Sequence, residues 1–392
     1  MLAHMDLARG LETLLVAATI AALAPMVVAL LPGPRIPQVV VLLAGGVLVG
    51  PEVLGWGDRA TIDLLANVGL GFLFLLAGHE LDPRLFRERP GRLAIVAWLV
   101  TVAIAAATVG ALAAAGFVRA FIPVALGLTT TALGTLLPIL RDNDMLGGRF
   151  GRYLLAAGAV GELFPVVAIA LFLGARTQFV ALASLAAVGV LAAALSFAPR
   201  LVRGNRLERI LREGEGATGQ TYVRWTVALL LLLLLTAEEF GLDVVLGAFL
   251  AGIVLRRWSP GDVHVLEGKL DAIGYGFFIP LFFVASGMTL DIRSIAETPL
   301  RLVAFFALLL VVRGVPALFL YRRDLSPAQR AQTMFLTATA LPLLVALAEI
   351  GLRNGTMLRE NAAALVGAGA LSVLVFPMVA VLIQRRTTRR SA

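Results

Sequence analysis

The chain has 392 residues, of which 59% are apolar and only 15% charged, a composition that excludes a set of water-soluble domains and describes a polytopic membrane protein. Its 33 basic residues exceed the 25 acidic ones, but all except Lys269 are arginines in short runs between long apolar stretches, which reads as topology control rather than a nucleic-acid surface. The absence of cysteine excludes disulfides, thiolate metal sites and cysteine nucleophiles. His4, His79 and His264 all fall outside the apolar interiors, which argues against a histidine metal or haem site.

A helix crosses about 30 Å of hydrocarbon in about 20 residues. Thirteen runs approach that requirement, at 11–32, 35–50, 61–79, 91–116, 120–140, 152–174, 178–198, 222–240, 243–257, 272–290, 301–321, 329–351 and 361–384. Three of them, 35–50, 61–79 and 243–257, are short. The first has no basic leader or small-residue cleavage site and is expected to be a retained helix. The polar stretch from Pro199 to Gln220 is expected to form a short surface helix between two halves. Assigning the connections alternately puts eight basic residues on one side and twenty-four on the other, with Arg313 left inside a span. By the positive-inside bias, the amino terminus faces out and the carboxyl terminus faces the cytoplasm of a cell with this protein in its plasma membrane.

A charge at the bilayer centre costs about 3 kcal/mol on insertion scales, so an ionisable residue there is a candidate functional group. Glu162 stands ten residues after Arg152 and twelve before Gly174, about 15 Å from either face. Arg313 stands twelve residues after Arg301 and nine before Arg322. A plainer alternative is a structural ion pair between the two, since a buried pair is weak evidence of stabilisation.

Residues 129–138 read Thr-Thr-Thr-Ala-Leu-Gly-Thr-Leu-Leu-Pro, and 337–342 read Thr-Ala-Thr-Ala-Leu-Pro. The shared Thr-x-Thr-Ala-Leu lies in the fifth and twelfth spans, which run in opposite directions, as an inverted repeat requires. Threonine and glycine are poor helix formers and proline lacks a backbone donor, so both spans are expected to break near their middle and to free carbonyls and hydroxyls at the depth of Glu162. Helix packing through small residues is the competing account of these tracts. Pro280 reads as a packing kink, and Ser286 and Asn67 as interhelical hydrogen-bond partners. Glu80, Glu238, Glu239, Asp243 and Glu349 lie near span ends and read as structural. His79 reads as an interfacial histidine, with pH sensing as the sharper alternative.

At Leu42–Pro51, Phe72–Asp82, Thr131–Pro138, Leu246–Gly252 and Pro280–Met288 the chain resembles the monovalent cation/proton antiporter-2 family, whose Na+/H+ exchanger domain also includes the Kef-type potassium transporters. The resemblance implies an all-α homodimer of thirteen transmembrane helices with crossing discontinuous helices at spans 5 and 12. It also implies scaffold helices in 1–90 and 221–298, a core in 91–174 and 299–392, and a linking helix and loop in 175–220. By position, Glu162 falls where the family carries its ion-binding aspartate, Gly161 where many members have a second Asp or an Asn, and Arg313 where members have Lys or Arg.

The expected activity is exchange of Na+ or K+ for H+ by alternating access, with no cofactor and no enzymatic step. Glu162 would hold either cargo, and the hydroxyls of Thr130, Thr131, Thr337 and Thr339 would complete the cation shell. Arg313 would compensate charge without carrying a proton. One exchangeable acid predicts electroneutral one-for-one exchange. The competing readings are a cation channel or efflux pathway on the same scaffold and an organic-anion symporter with Arg313 as its clamp. A membrane-embedded hydrolase finds no His, Cys or Asp at mid-depth beside a Ser.

Overall fold

The computed structural model describes residues 2–30, 37–80, 83–173, 178–201, 220–258 and 263–391, and among them all regular structure is helical. The stretch from Pro199 to Gln220, expected as a surface helix, falls largely outside the described residues. In chain order the first helices are α1 (Leu2–Leu30), α2 (Gln38–Val49), α3 (Arg59–Glu80) and, after a 3-10 turn at Pro83–Arg87, α4 (Arg89–Ala114). There follow α5 (Phe121–Gly127), α6 (Leu133–Asp142), α7 (Gly148–Phe172), α8 (Gln178–Leu201), α9 (Thr221–Glu239) and α10 (Val244–Trp258). Next, α11 (Val263–Ile273) runs through a π turn at Gly274–Phe278 into α12 (Ile279–Met288), and a short α13 (Ile292–Glu297) precedes α14 (Pro299–Leu308). A second π turn at Leu309–Gly314 leads to α15 (Val315–Leu320), and the chain closes with α16 (Pro327–Ala338), α17 (Pro342–Arg353) and α18 (Arg359–Ser391).

Among the described residues, ten helices are long and apolar enough to cross a membrane, with α16 and α17 counted as one. Three of the thirteen expected runs are not among the ten, each for a local reason. The run at 35–50 contains the 12-residue α2, and that at 243–257 contains the 15-residue α10. The run at 120–140 is divided between α5 and α6 by five non-helical residues, Leu128 to Ala132.

The chain divides into two compact units. One comprises Met1–Ile62, Pro83–Ala168 and Phe283–Ala392; the other comprises Asp63–Asp82 and Ile169–Phe282. In the larger unit, α4, α6, α7, α15, α16 and α18 share an apolar interior built on Trp98, Leu140, Phe150, Tyr153, Tyr321 and Leu336. Between lipid-embedded helices the gain from such a cluster is close packing, because lipid tails are as apolar as leucine. In the smaller unit, Gly78 of α3 lies against the Phe249 carbonyl of α10, and Gly252 lies against that of Leu75. A β-carbon at either glycine would overlap a carbonyl oxygen, so these two helices touch backbone to backbone.

Candidate functional site

Two interruptions in the larger unit free backbone groups that need partners. After α5, the Thr129 and Thr130 hydroxyls fold back on the carbonyls of Leu126 and Gly127, both at 2.8 Å. The next two amides leave the segment altogether: Thr131 N–H donates to the Gly161 carbonyl of α7 at 2.9 Å, and Ala132 N–H donates to the Thr339 carbonyl at 2.8 Å. At the second interruption, Thr339 takes an extended conformation with φ −72° and ψ 117°, and Pro342 opens α17 in its first turn. A proline there has no N–H to leave unpaired. Ala340 N–H donates to the Ser372 hydroxyl of α18 at 3.0 Å. The freed amides thus find acceptors on α7, on α18 and, for Ala132, on the other interrupted segment, as buried backbone away from water must. Pro138 does not sit at the first interruption; it lies within α6, and the break falls on the threonines before it.

Thr131 is the node of the arrangement. Its hydroxyl donates to the Thr337 carbonyl at 2.6 Å and accepts from Arg313 Nε at 2.9 Å. Arg313 Nη2 donates to the Ala157 carbonyl of α7 at 2.9 Å. Arg313 stands in the π turn at Leu309–Gly314, and Pro316 follows three residues later. Proline has no N–H for the carbonyl of Val312, four residues back, and its ring crowds that carbonyl, which accounts for the widened turn. Gly314 lies against the Met334 carbonyl, so the turn packs directly on α16.

Gly161 explains how the guanidinium fits. A β-carbon at this position would meet Arg313 Nη2 and the hydroxyl of Thr131. The arginine therefore occupies space that a side chain at 161 would need. Glu162, the next residue of α7, is 5% exposed, and Arg313 is 3% exposed.

Thr131 and Arg313 therefore come together with the backbone of Thr337 and Thr339. Thr130 is buried beside them but turns its hydroxyl to its own segment. The Thr337 and Thr339 hydroxyls donate back to the carbonyls of Thr333 and Phe335, at 2.8 and 3.1 Å. Of the carboxylates read as structural, Glu349 pairs with Arg353 one turn on at 2.8 Å, and Asp243 accepts from Val245 N–H at 2.9 Å. His79 is buried, with Nε2 3.5 Å from Glu267. Sequence reasoning missed Ser372, a single hydroxyl in an apolar span with no distinguishing pattern. It also missed Asp324, whose carboxylate accepts from Arg89 Nε at 2.9 Å, Arg149 Nη2 at 3.0 Å and Tyr153 Oη at 2.8 Å. The signal for Asp324 was present as the lone acid in Arg322-Arg323-Asp324.

These features define a polytopic helical membrane protein with a buried glutamate and a buried arginine among its apolar helices. The family model described as "Sodium/hydrogen exchanger, transmembrane" matches residues 16–383, and the chain belongs to that family. It is similar to the glutathione-regulated potassium-efflux system protein KefC of Klebsiella pneumoniae, 30% identical over 88% of this chain and 56% of that protein. It is also similar to cation/H(+) antiporter 18 of Arabidopsis thaliana, 27% identical over 67% of this chain and 35% of that one. The chain thus spans between about a third and just over half the length of these relatives. The sodium proton antiporter MjNhaP1 from Methanocaldococcus jannaschii shares the fold, with a TM-score of 0.63 and 15% identity over 98% of this chain and 97% of that one.

Proposed function

We propose that the protein exchanges a monovalent alkali cation, Na+ or K+, for H+ by alternating access. The observation that carries this reading is the seating of Glu162, buried in α7 beside the backbone carbonyl that receives Thr131 in the node shared with Arg313 and Thr337. A carboxylate at this depth is stable when neutralised, and either a proton or an alkali cation neutralises it. Hard cations take oxygen ligands. The hydroxyls of Thr130, Thr337 and Thr339 spend their hydrogens on carbonyls of their own segments, which leaves their lone pairs available to a cation held by Glu162. Thr131 already accepts from Arg313, so a cation would share that oxygen with the guanidinium.

The exchange is one for one. Arg313 keeps its charge through the cycle. Glu162 carries one proton or one cation, never both, so the loaded site crosses with the same net charge in either form. Residues 91–174 and 299–392 act as the moving core, 1–90 and 221–298 as the scaffold through which two copies pair, and 175–220 as the link. The runs containing α5–α6 and α16–α17 are the two oppositely directed discontinuous helices among thirteen crossings. The protein sits in the plasma membrane with its amino terminus outside.

Purified protein in liposomes tests this reading. An imposed Na+ or K+ gradient should move protons, read by an internal pH dye, without generating a membrane potential. Glu162→Gln, close in shape and unable to ionise, should abolish proton movement while the variant still purifies as a folded protein. Full exchange by that variant would remove Glu162 from the mechanism, and a steady current would reject the stoichiometry.

A further inference from the structure

One end of the larger unit is crowded with exposed arginines, among them Arg89, Arg92, Arg149, Arg152, Arg322 and Arg323. Such a face repels cations, an effect that decays over about 10 Å at 0.1 M salt. Within it lies a pocket of about 260 Å³ formed by the turn between α6 and α7, the first turns of α16 and the end of α18.

The lining is unlike the surface around it. Asp144, Ser326, Gln329, Gln332, Gln384 and Thr387 supply one carboxylate, three amides and two hydroxyls, and among the described residues no Arg or Lys lines it. Gln332 is 5% exposed and reaches the cavity from inside the unit. Gln384 Nε2 is tied to the Asn143 carbonyl at 3.1 Å, which holds the end of α18 against the turn that carries Asp144. Met145 and Phe150 line the remaining wall and belong to the apolar cluster that contains Leu336. Leu336 precedes Thr337, so the pocket and the Thr131 node lie on one helix, separated by apolar packing. From Gln332 to Thr337 the rise is about 7.5 Å at 1.5 Å per residue.

We propose that this pocket is a second binding site, for one partly hydrated alkali cation, with Asp144 and the Gln332 amide oxygen as its protein ligands. It is distinct from the site at Glu162. A carboxylate with neutral oxygens is the donor set that hard monovalent cations accept, and it stands where the surrounding arginines would otherwise keep such ions away. The site holds an ion at this end of the core before it passes to, or after it leaves, the deeper position. That staging role rests on the exchange reading; the binding itself does not.

The chain has no cysteine, so a single introduced thiol reports without background. Ala328 lines the pocket. In Ala328→Cys combined with Glu162→Gln, Na+ or K+ should slow modification by a cationic methanethiosulfonate at least threefold relative to N-methylglucamine. Adding Asp144→Asn should remove that protection. Equal rates in all three cations, or protection that survives Asp144→Asn, would overturn the site. Because Glu162 is disabled throughout, this readout stands or falls independently of exchange. In the otherwise native chain, Asp144→Asn should raise the cation KM on the pocket side at least threefold. An unchanged KM would overturn the staging role. Asp144 is exposed, so this substitution leaves the packed interior alone.

Discussion

Arg313 meets the cost of burial through two neutral acceptors, the hydroxyl of Thr131 and the carbonyl of Ala157. Hydrogen bonds to a charged group contribute about 1.5–3 kcal/mol each, and a buried donor left without its partner costs a comparable amount. Gly161 is the condition for both bonds, since a β-carbon there would overlap the guanidinium and the Thr131 hydroxyl. Gly161→Ala adds only a methyl group and improves helix propensity by about 1 kcal/mol. Overpacking of this kind nevertheless costs about 1–3 kcal/mol and would push Arg313 off its acceptors. The expected outcome is exchange reduced at least tenfold with at most a small change in melting temperature in detergent. Wild-type exchange from the alanine variant would show that the guanidinium does not depend on an empty position 161.

At the scale of elements, the loop between α15 and α16 ties together the starts of α4 and α7. Asp324, with its side chain 3% exposed, receives Arg89, Arg149 and Tyr153, and Tyr153 packs edge to face on Tyr321 with ring centroids 5.9 Å apart. Tyr153 lies on the helix of Glu162, and Tyr321 follows the helix of Arg313, so this clasp fixes the axial register of the two charged residues. The Arg89 guanidinium bonded to Asp324 holds its carboxyl below the usual carboxylate range. A carboxyl whose pKa is depressed by folding contributes stability that is complete above its unfolded value, near pH 4, and is lost as pH falls through the lower folded value. Asp324→Asn should therefore melt at a lower temperature than wild type at pH 7, and the gap should narrow as the pH is taken below about 4. A gap independent of pH would mean that the carboxylate charge is not what the clasp uses.

The elements also show how far a sequence carries. Glu162 and Arg313 were legible because an ionised side chain in an apolar run violates a local rule, and the helical interior needs no alignment to expose it. The threonine tracts were legible for a similar reason, since they lower helix propensity. The position of the first interruption was less so: Pro138 is the stronger breaker on paper, yet the chain leaves the helix at Leu128, and the amides of Thr131 and Ala132 find acceptors on Gly161 and Thr339. Those acceptors are about 30 and 210 residues away in sequence. For the same reason the Arg313–Ala157 bond, Ser372 under Ala340 and the Asp324 clasp depend on tertiary neighbours that no local pattern encodes.

For the whole molecule, the parity of crossings decides more than their number. Ten long helices would return the chain to the side on which it started, whereas thirteen crossings separate the termini. The difference rests on α2, α10 and the interrupted pair α5–α6. At 1.5 Å per residue, the 12 residues of α2 rise about 18 Å and the 15 of α10 about 22 Å, both short of about 30 Å of hydrocarbon. Local bilayer thinning and flanking loops can close gaps of that size at a modest cost per ångström. The interrupted pair would cover the distance in two pieces, and its freed amides are satisfied on α7 and at Thr339. Each of the three therefore has a physical means of crossing, and with none of them crossing the division of eight against twenty-four basic residues becomes sixteen against sixteen. The cysteine-free chain makes the question direct. In intact cells, a membrane-impermeant maleimide should label Ala3→Cys, while Ser391→Cys should react only after permeabilisation. Labelling of both positions from the same side would reject thirteen crossings.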